Sequence, residues 1–102
     1  MAGFVQIIEY RTSKPDEVAA LMEEFRAKRE AEADGPAPTH GITCADRDEA
    51  GRYFAIIEFA SYEEAMENSR RADTTEMSER MMELCDGPGT FYNLDKIDEQ
   101  EF

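Results

Sequence analysis

The sequence predicts an α+β domain, a single β-α-β-β-α-β run of 102 residues. Three observations predict it. Four short segments rich in β-branched and aromatic residues are interleaved with segments of helical periodicity. Helix-start signals stand at Ser13, Ser61 and Asp73, and Gly/Pro stops stand at residues 35–38 and 86–89. The central strand, Arg52 to Phe59 (RYFAIIEF), is apolar on both faces although the chain has too few helices to cover both. Its second face must be hidden, and the simplest partner is another copy of the chain.

Residues 4–11 (FVQIIEYR) form the first predicted strand, with apolar or aromatic residues at every other position or better. Ser13, Lys14, Pro15 and Asp16 open a helix. Ser13 is the expected cap, Pro15 loses nothing in the first turn, and Asp16 complements the positive helix end. Val18, Leu21, Met22 and Phe25 follow at i, i+3, i+4 and i+7, one apolar stripe backed by Glu23, Glu24, Arg26 and Lys28. The helix is expected to fray through Ala31 and Ala33 and to stop at Gly35, Pro36, Ala37 and Pro38. His40–Asp46 and Arg52–Ala60 read as an antiparallel hairpin joined by Arg47 to Gly51. Ser61 and Glu64 form a capping box. A second such signal at Asp73 and Glu76 means that residues 62–85 are a broken helix, bent near Arg71 and Ala72, with Met77, Met81, Leu84 and Cys85 as the apolar face of its second piece. Asp86, Gly87, Pro88 and Gly89 end it; with no Lys-Ser/Thr behind them they are a helix stop and not a phosphate loop. Thr90–Ile97 supplies a fourth strand, and Asp98–Phe102 is an acidic tail expected to fray.

This order is the ferredoxin-like arrangement, an antiparallel sheet of strand order 4-1-3-2 with the helices on one face. Phe4, Gln6, Ile8 and Tyr10 then share a sheet face with Tyr53, Ala55, Ile57 and Phe59. Val5, Ile7, Glu9 and Arg11 share the other with Phe54, Ile56 and Glu58. Neither face is polar enough for water.

Composition narrows the function classes. The formal charge is −13, from 24 acidic against 11 basic residues. That balance disfavours nucleic acid and anionic membrane surfaces as partners. The only basic clusters, Lys28-Arg29 and Arg70-Arg71, lie among acids and read as solvated helix faces. No apolar run reaches the roughly 18 residues of a membrane span, and the N-terminal residues lack a signal peptide's pattern, so a cytoplasmic location is expected. Cys44 and Cys85 show no metal-ligand or redox spacing and read as free buried thiols.

Tyr10-Arg11 before Lys14-Pro15, the strand-to-helix passage from Ile57 to Ala65 (IEFASYEEA), and the interrupted helix after it carry a likeness over about Phe4 to Ile97. On these the chain resembles the dimeric α+β barrel superfamily, most closely its antibiotic-biosynthesis-monooxygenase-like branch. The resemblance implies two ferredoxin-like subunits packed sheet against sheet. It also implies a range of activities, among them cofactor-independent oxygenases of aromatic polyketides, haem degraders and isomerases. Haem degraders pair a strand Asn and a strand Trp with a helical His. This chain has no Trp; Phe59 falls near its place, and the strand-Asn position is apolar or Gln. Other members carry a His in the helix after the third strand, where Glu67, Asn68 and Ser69 stand here. Neither haem nor a helical general base is implied.

Each candidate site residue has a functional and a plain reading. His40, the only histidine, is a general base or a strand-edge histidine. Gln6, Tyr10, Tyr53 and Phe59 line a pocket for a flat aromatic ligand, or are core residues with satisfied polar groups. Met22, Met66, Met77, Met81 and Met82 form an adaptable lining or ordinary packing. Asn68 and Arg70 stand at a pocket mouth, suited to a carboxylate or enolate oxygen, or on solvated helix surface. The expected protein is therefore a homodimeric barrel that binds a small apolar or aromatic metabolite and needs no cofactor or metal. It is either an oxygenase with weak catalytic candidates in Tyr10, Tyr53, Asn68 and His40, or a non-catalytic dimerisation or ligand-sensing module.

Overall fold

The computed structural model describes residues 3–32 and 37–102. Its elements are β1 (Phe4–Arg11), α1 (Pro15–Glu32), β2 (His40–Ala45), β3 (Arg52–Phe59), α2 (Tyr62–Ser69), α3 (Ala72–Leu84) and β4 (Thr90–Asp95). The strands make one antiparallel sheet in the order β2-β3-β1-β4, the order expected. The predicted break between α2 and α3 is present. The expected stop of α1 at Gly35 and Pro36 lies outside the described residues.

Strand register sorts side chains into two faces. Phe4 pairs with Phe59, Ile8 with Ala55 and Tyr10 with Tyr53, which places these residues on the face beneath the helices. Gly41, Thr43 and Ala45 of β2 lie on the same face, paired with Ile57, Ala55 and Tyr53. The helices meet this face in two buried clusters. At one end Phe4, Phe59 and Ala65 pack with Ile57 and Met66. At the other, Tyr10, Val18 and Ala55 pack with Ile8, Met22, Tyr53, Met81, Leu84 and Cys85. Three of the four residues expected on the apolar side of α3 (Met81, Leu84, Cys85) join this second cluster; the fourth, Met77, is half-buried outside it, and Met82 points to solvent.

Three local expectations need correction. At the start of α1 the hydroxyl in use is that of Thr12, not Ser13: Thr12 Oγ1 accepts from the Lys14 N–H (3.0 Å) and donates to the Leu84 carbonyl (2.5 Å). The Thr12 N–H donates to the Gly51 carbonyl (3.0 Å), and Gly51, at φ +87°, holds the left-handed conformation that this hairpin turn requires. Thr12, fully buried, thus ties the end of β1 to the β2–β3 turn and to the end of α3.

At the start of α3, Asp73 is not the cap. The cap position is Arg71, without a side-chain cap bond, and Asp73 sits in the first helical turn. Its carboxylate is drawn into ion pairs with Arg29 (2.9 Å) and Arg71 (3.0 Å). Arg29 also donates to Asn68 Oδ1 (2.7 Å) and Thr74 Oγ1 (2.8 Å) and lies over the Phe25 ring. Arg29 and Arg71 are therefore not solvated helix faces: the Arg29 side chain is 10% exposed and that of Asp73 12%. Arg71 and Arg29 together hold the Asp73 carboxyl far below the usual carboxylate range. At Ser61 the capping box forms as expected, its Oγ accepting from the Glu64 N–H at 3.2 Å.

Among the described residues no helix covers the other sheet face. Val5 and Ile7 lie there beside Phe54, Ile56, Ile42, Tyr92 and Leu94. Ile42, Leu94 and Tyr92 are 46%, 45% and 43% exposed, a contiguous apolar surface. Polar groups border it. Arg52 bonds Glu9 (3.0 Å) and Asp46 (3.2 Å), and the Tyr92 hydroxyl donates to Glu9 (3.1 Å). Lys96 bonds Glu58 at 2.7 Å. Cys44, expected to be buried, is exposed on this face opposite Phe54, while Cys85 is half-buried at the C-cap of α3.

Candidate ligand cleft

Between α1 and the β2 side of the sheet lies a cleft of about 410 Å³. Its cause is local in sequence. The helix-facing positions of β2 are Gly41, Thr43 and Ala45, all small, whereas those of β1 and β3 are dominated by Phe, Tyr and Ile. A Cβ placed on Gly41 meets nothing within 4 Å. Helix α1 packs on the bulkier strands and leaves the space over β2 unfilled.

The floor is formed by Tyr10 and Tyr53, register partners whose rings stack at 5.6 Å between centroids and 20° between planes. Val18, Ala19 and Met22 of α1 form the wall opposite Thr43 and Ala45. The Thr43 hydroxyl reaches the Met22 sulfur at 3.9 Å, a weak contact that spans the cleft. Thr12 and Pro15 close the end near the start of α1, and Glu23 and Arg26 form the rim. Burial, with the neighbouring Cys85 and Tyr53, pushes the Tyr10 phenol up, so it keeps its proton at neutral pH and is a donor. Among the described residues no hydrogen-bond partner is found for the Tyr10 or Tyr53 hydroxyl. A volume of this size, two aromatic rings, a thioether and hydroxyl groups suit a small flat apolar molecule with an oxygen acceptor.

The structure brings together two of the sequence-predicted site residues, Tyr10 and Tyr53. The others lie elsewhere. Gln6 is on the helix face, but its amide donates to Asn93 of β4 at 3.1 Å. Phe59 is buried in the cluster at the far end with Phe4 and Ala65. Asn68 accepts from Arg29, and Arg70 is exposed at the break between α2 and α3. His40 is on the helix-free face, paired in register with Glu58, whose carboxyl is held low first by Lys96 and least by His40. Of the five candidate methionines, all among the described residues, Met22 alone lines the cleft. Sequence reasoning missed Thr12, Thr43 and Ala45. The legible signal was the run of small residues at alternate positions of β2, which marks a strand face that nothing bulky fills. Among the described residues no group of three or more His, Cys, Asp or Glu is placed to hold a metal ion, and no helix is long and apolar enough to cross a membrane.

No protein-family model and no curated protein matches the chain by sequence. Solved structures match it by fold over nearly its whole length. A protein of Caulobacter crescentus, provisionally described as an antibiotic biosynthesis monooxygenase, superposes with a TM-score of 0.79 at 15% identity, covering 95% of this chain and 92% of that one. A conserved protein of Methanosarcina mazei gives 0.78 at 11% identity, with 94% of each chain covered. SnoaB, a cofactor-independent oxygenase from Streptomyces nogalater, gives 0.72 at 13% identity, covering 97% of this chain and 95% of that one. The chain has the fold of the antibiotic-biosynthesis-monooxygenase-like structures, as its strand and helix pattern suggested.

Proposed function

From this shared fold and the tyrosine-floored cleft we propose that the protein is a homodimer, each subunit of which binds a small apolar or aromatic molecule between α1 and the sheet. The observation that carries the ligand reading is the stacked pair Tyr10 and Tyr53 beneath an unfilled cleft. The observation that supports the dimer is the helix-free face, whose apolar centre is exposed and whose border groups are already paired. Such a surface gains roughly 25 cal/mol per Å² of apolar area when covered.

The chemistry best suited to the cleft is oxygenation without a metal. The aromatic binds neutral, loses a proton to solvent water at the open side of the cleft, and as a stabilised anion gives its electrons to dioxygen, while the protein contributes orientation and the Tyr10 and Tyr53 hydroxyls as donors. A non-catalytic binding or sensing role is the second reading. It is favoured by the lining itself: among the described residues no histidine lines the cleft, and its one carboxylate, Glu23, is bonded to Arg26 at 2.6 Å.

Native mass spectrometry of the purified protein tests the proposal, because one spectrum reports subunit count and retained ligand. A dimer with added mass supports both parts, and a monomer overturns the dimer. Ile42→Glu places a charge on the exposed centre of the helix-free face and is expected to convert the dimer to a folded monomer. If Ile42→Glu remains dimeric, the subunits meet elsewhere.

A further inference from the structure

The cleft's electrostatics say more about the ligand than its shape does. Only two charged residues line it among those described, Glu23 and Arg26. Arg26 is already engaged. Its Nε and Nη2 donate to Glu23 (3.2 and 2.6 Å) and its Nη1 donates to Glu30 (2.9 Å). Glu23 and Arg26 at the rim, with Glu30 outside the cleft but bonded to Arg26, together carry one net negative charge, and the guanidinium edge an incoming carboxylate needs is occupied on both sides. Two features favour an anion: the positive end of α1 near Pro15, which Asp16 and Glu17 in its first turn oppose, and the Tyr10 and Tyr53 hydroxyls, which donate hydrogen bonds to neutral acceptors as well. The whole chain, at −13, adds a negative field. Inside, the stacked Tyr10 and Tyr53 rings and the polarizable Met22 sulfur line the cleft and supply no positive charge.

Resting on the reading that the cleft binds a ligand, we infer that its occupant is a planar aromatic without negative charge, and that an aromatic bearing an ammonium group is preferred over its neutral counterpart. The cleft selects by charge as well as by shape. An anionic aromatic of the same size meets the net negative charge of Glu23, Arg26 and Glu30 with the wrong sign and binds least.

Three probes with one ring system test this: naphthalen-2-ylmethylammonium, naphthalene-2-carboxamide and naphthalene-2-carboxylate. Each is titrated into the full protein at low salt and again at about 300 mM salt, with cleft occupancy read from NMR shifts of Met22, Thr43 and Tyr53. The expected order is ammonium, then amide, then carboxylate. The two ends should differ by about fivefold or more at low salt, the size of one or two surface charge contacts, and the gap should shrink with salt. In the double variant E23Q/E30Q, Arg26 loses both carboxylates, and carboxylate binding is expected to rise about fivefold relative to ammonium binding. Equal affinities for all three probes, or tightest binding by the carboxylate, leave the binding cleft standing and overturn the charge selection. If none of the three binds, the ligand reading fails and this inference falls with it.

Discussion

The two ends of the helix–sheet interface are built from the same fold and reach opposite outcomes. At the end where β1 begins, Phe4 and Phe59 face each other across the register, and Ala65 lets α2 approach closely enough to bury all three. Tyr62 closes the rim with its ring edge-on to Phe4 at 5.4 Å. At the other end the small residues lie on the strand: Thr43 and Ala45 stand under the flank of α1, and the Met22 sulfur, 3.9 Å from the Thr43 hydroxyl, reaches toward them without filling the space. Small residues seal an interface when a partner can move in and open one when the partner is held away. Here α1 is held at both ends. Its C-terminal turn is fixed by Arg29 to Asp73, Asn68 and Thr74, and its start by the Thr12 hydroxyl.

The largest expected effect breaks the sealed end. Phe59→Ala removes a buried ring from the packed cluster of Phe4, Ala65, Ile57 and Met66, and is expected to cost about 4 kcal/mol. Tyr53→Ala at the cleft removes a half-buried ring that already borders empty space, and is expected to cost about 2 kcal/mol. Urea unfolding of the two variants at one protomer concentration measures the difference. Equal costs would mean that the cleft end is packed as tightly as the sealed one.

Asp73→Asn loosens the clamp that holds α1 away from β2. It removes the charge from bonds to two arginines while leaving Arg29 its contacts with Asn68 and Thr74, and is expected to cost about 2 kcal/mol at neutral pH. The pH dependence follows from the direction of the shift. Asp73 is held well below its unfolded value of about 3.9, so its contribution is complete above that pH and fades as the pH falls toward the folded value. The stability gap between wild type and Asp73→Asn should therefore be constant from pH 7 to about 5 and narrow steadily below 4. A gap that stays constant into strong acid would assign the cost to altered packing and not to charge.

Much of this architecture was legible because it depends on local patterns. Alternation on β1 and β3 assigned both sheet faces, and Ser61 with Glu64 marked the start of α2. Spacing alone also placed the break near Arg71. Long-range polar partnership was less legible. Nothing in a window around Asp73 indicates that Arg29, 44 positions earlier, will take its carboxylate away from a capping role. For the same reason Arg29 and Asn68 read as surface groups from sequence. The cleft was half legible: Tyr10 and Tyr53 followed from the register, but a cavity is defined by what is missing. The small residues of β2 acquire meaning only when the height of α1 above them is known, and that height is set by contacts far from β2 in sequence.

Thr43→Leu tests the comparison at its most sensitive point. The substitution gives up a weak hydroxyl–sulfur contact and some strand preference, and it puts apolar volume into space bordered by Met22, Tyr53 and Ala45. These effects nearly cancel, so the expected change in stability is within about 0.5 kcal/mol, the smallest of the set. Its consequence for binding is large. Any aromatic compound that raises the melting temperature of the wild type by occupying the cleft should lose that effect in the variant, because the leucine takes its place. If Thr43→Leu instead destabilises the protein by more than about 1.5 kcal/mol, as overpacking does, then the space over β2 is not free and α1 lies closer to the strand than the cleft requires. If the protein is unperturbed and the ligand response survives, the ligand is bound elsewhere, and the helix-free face between Ile42 and Leu94 becomes the place to look.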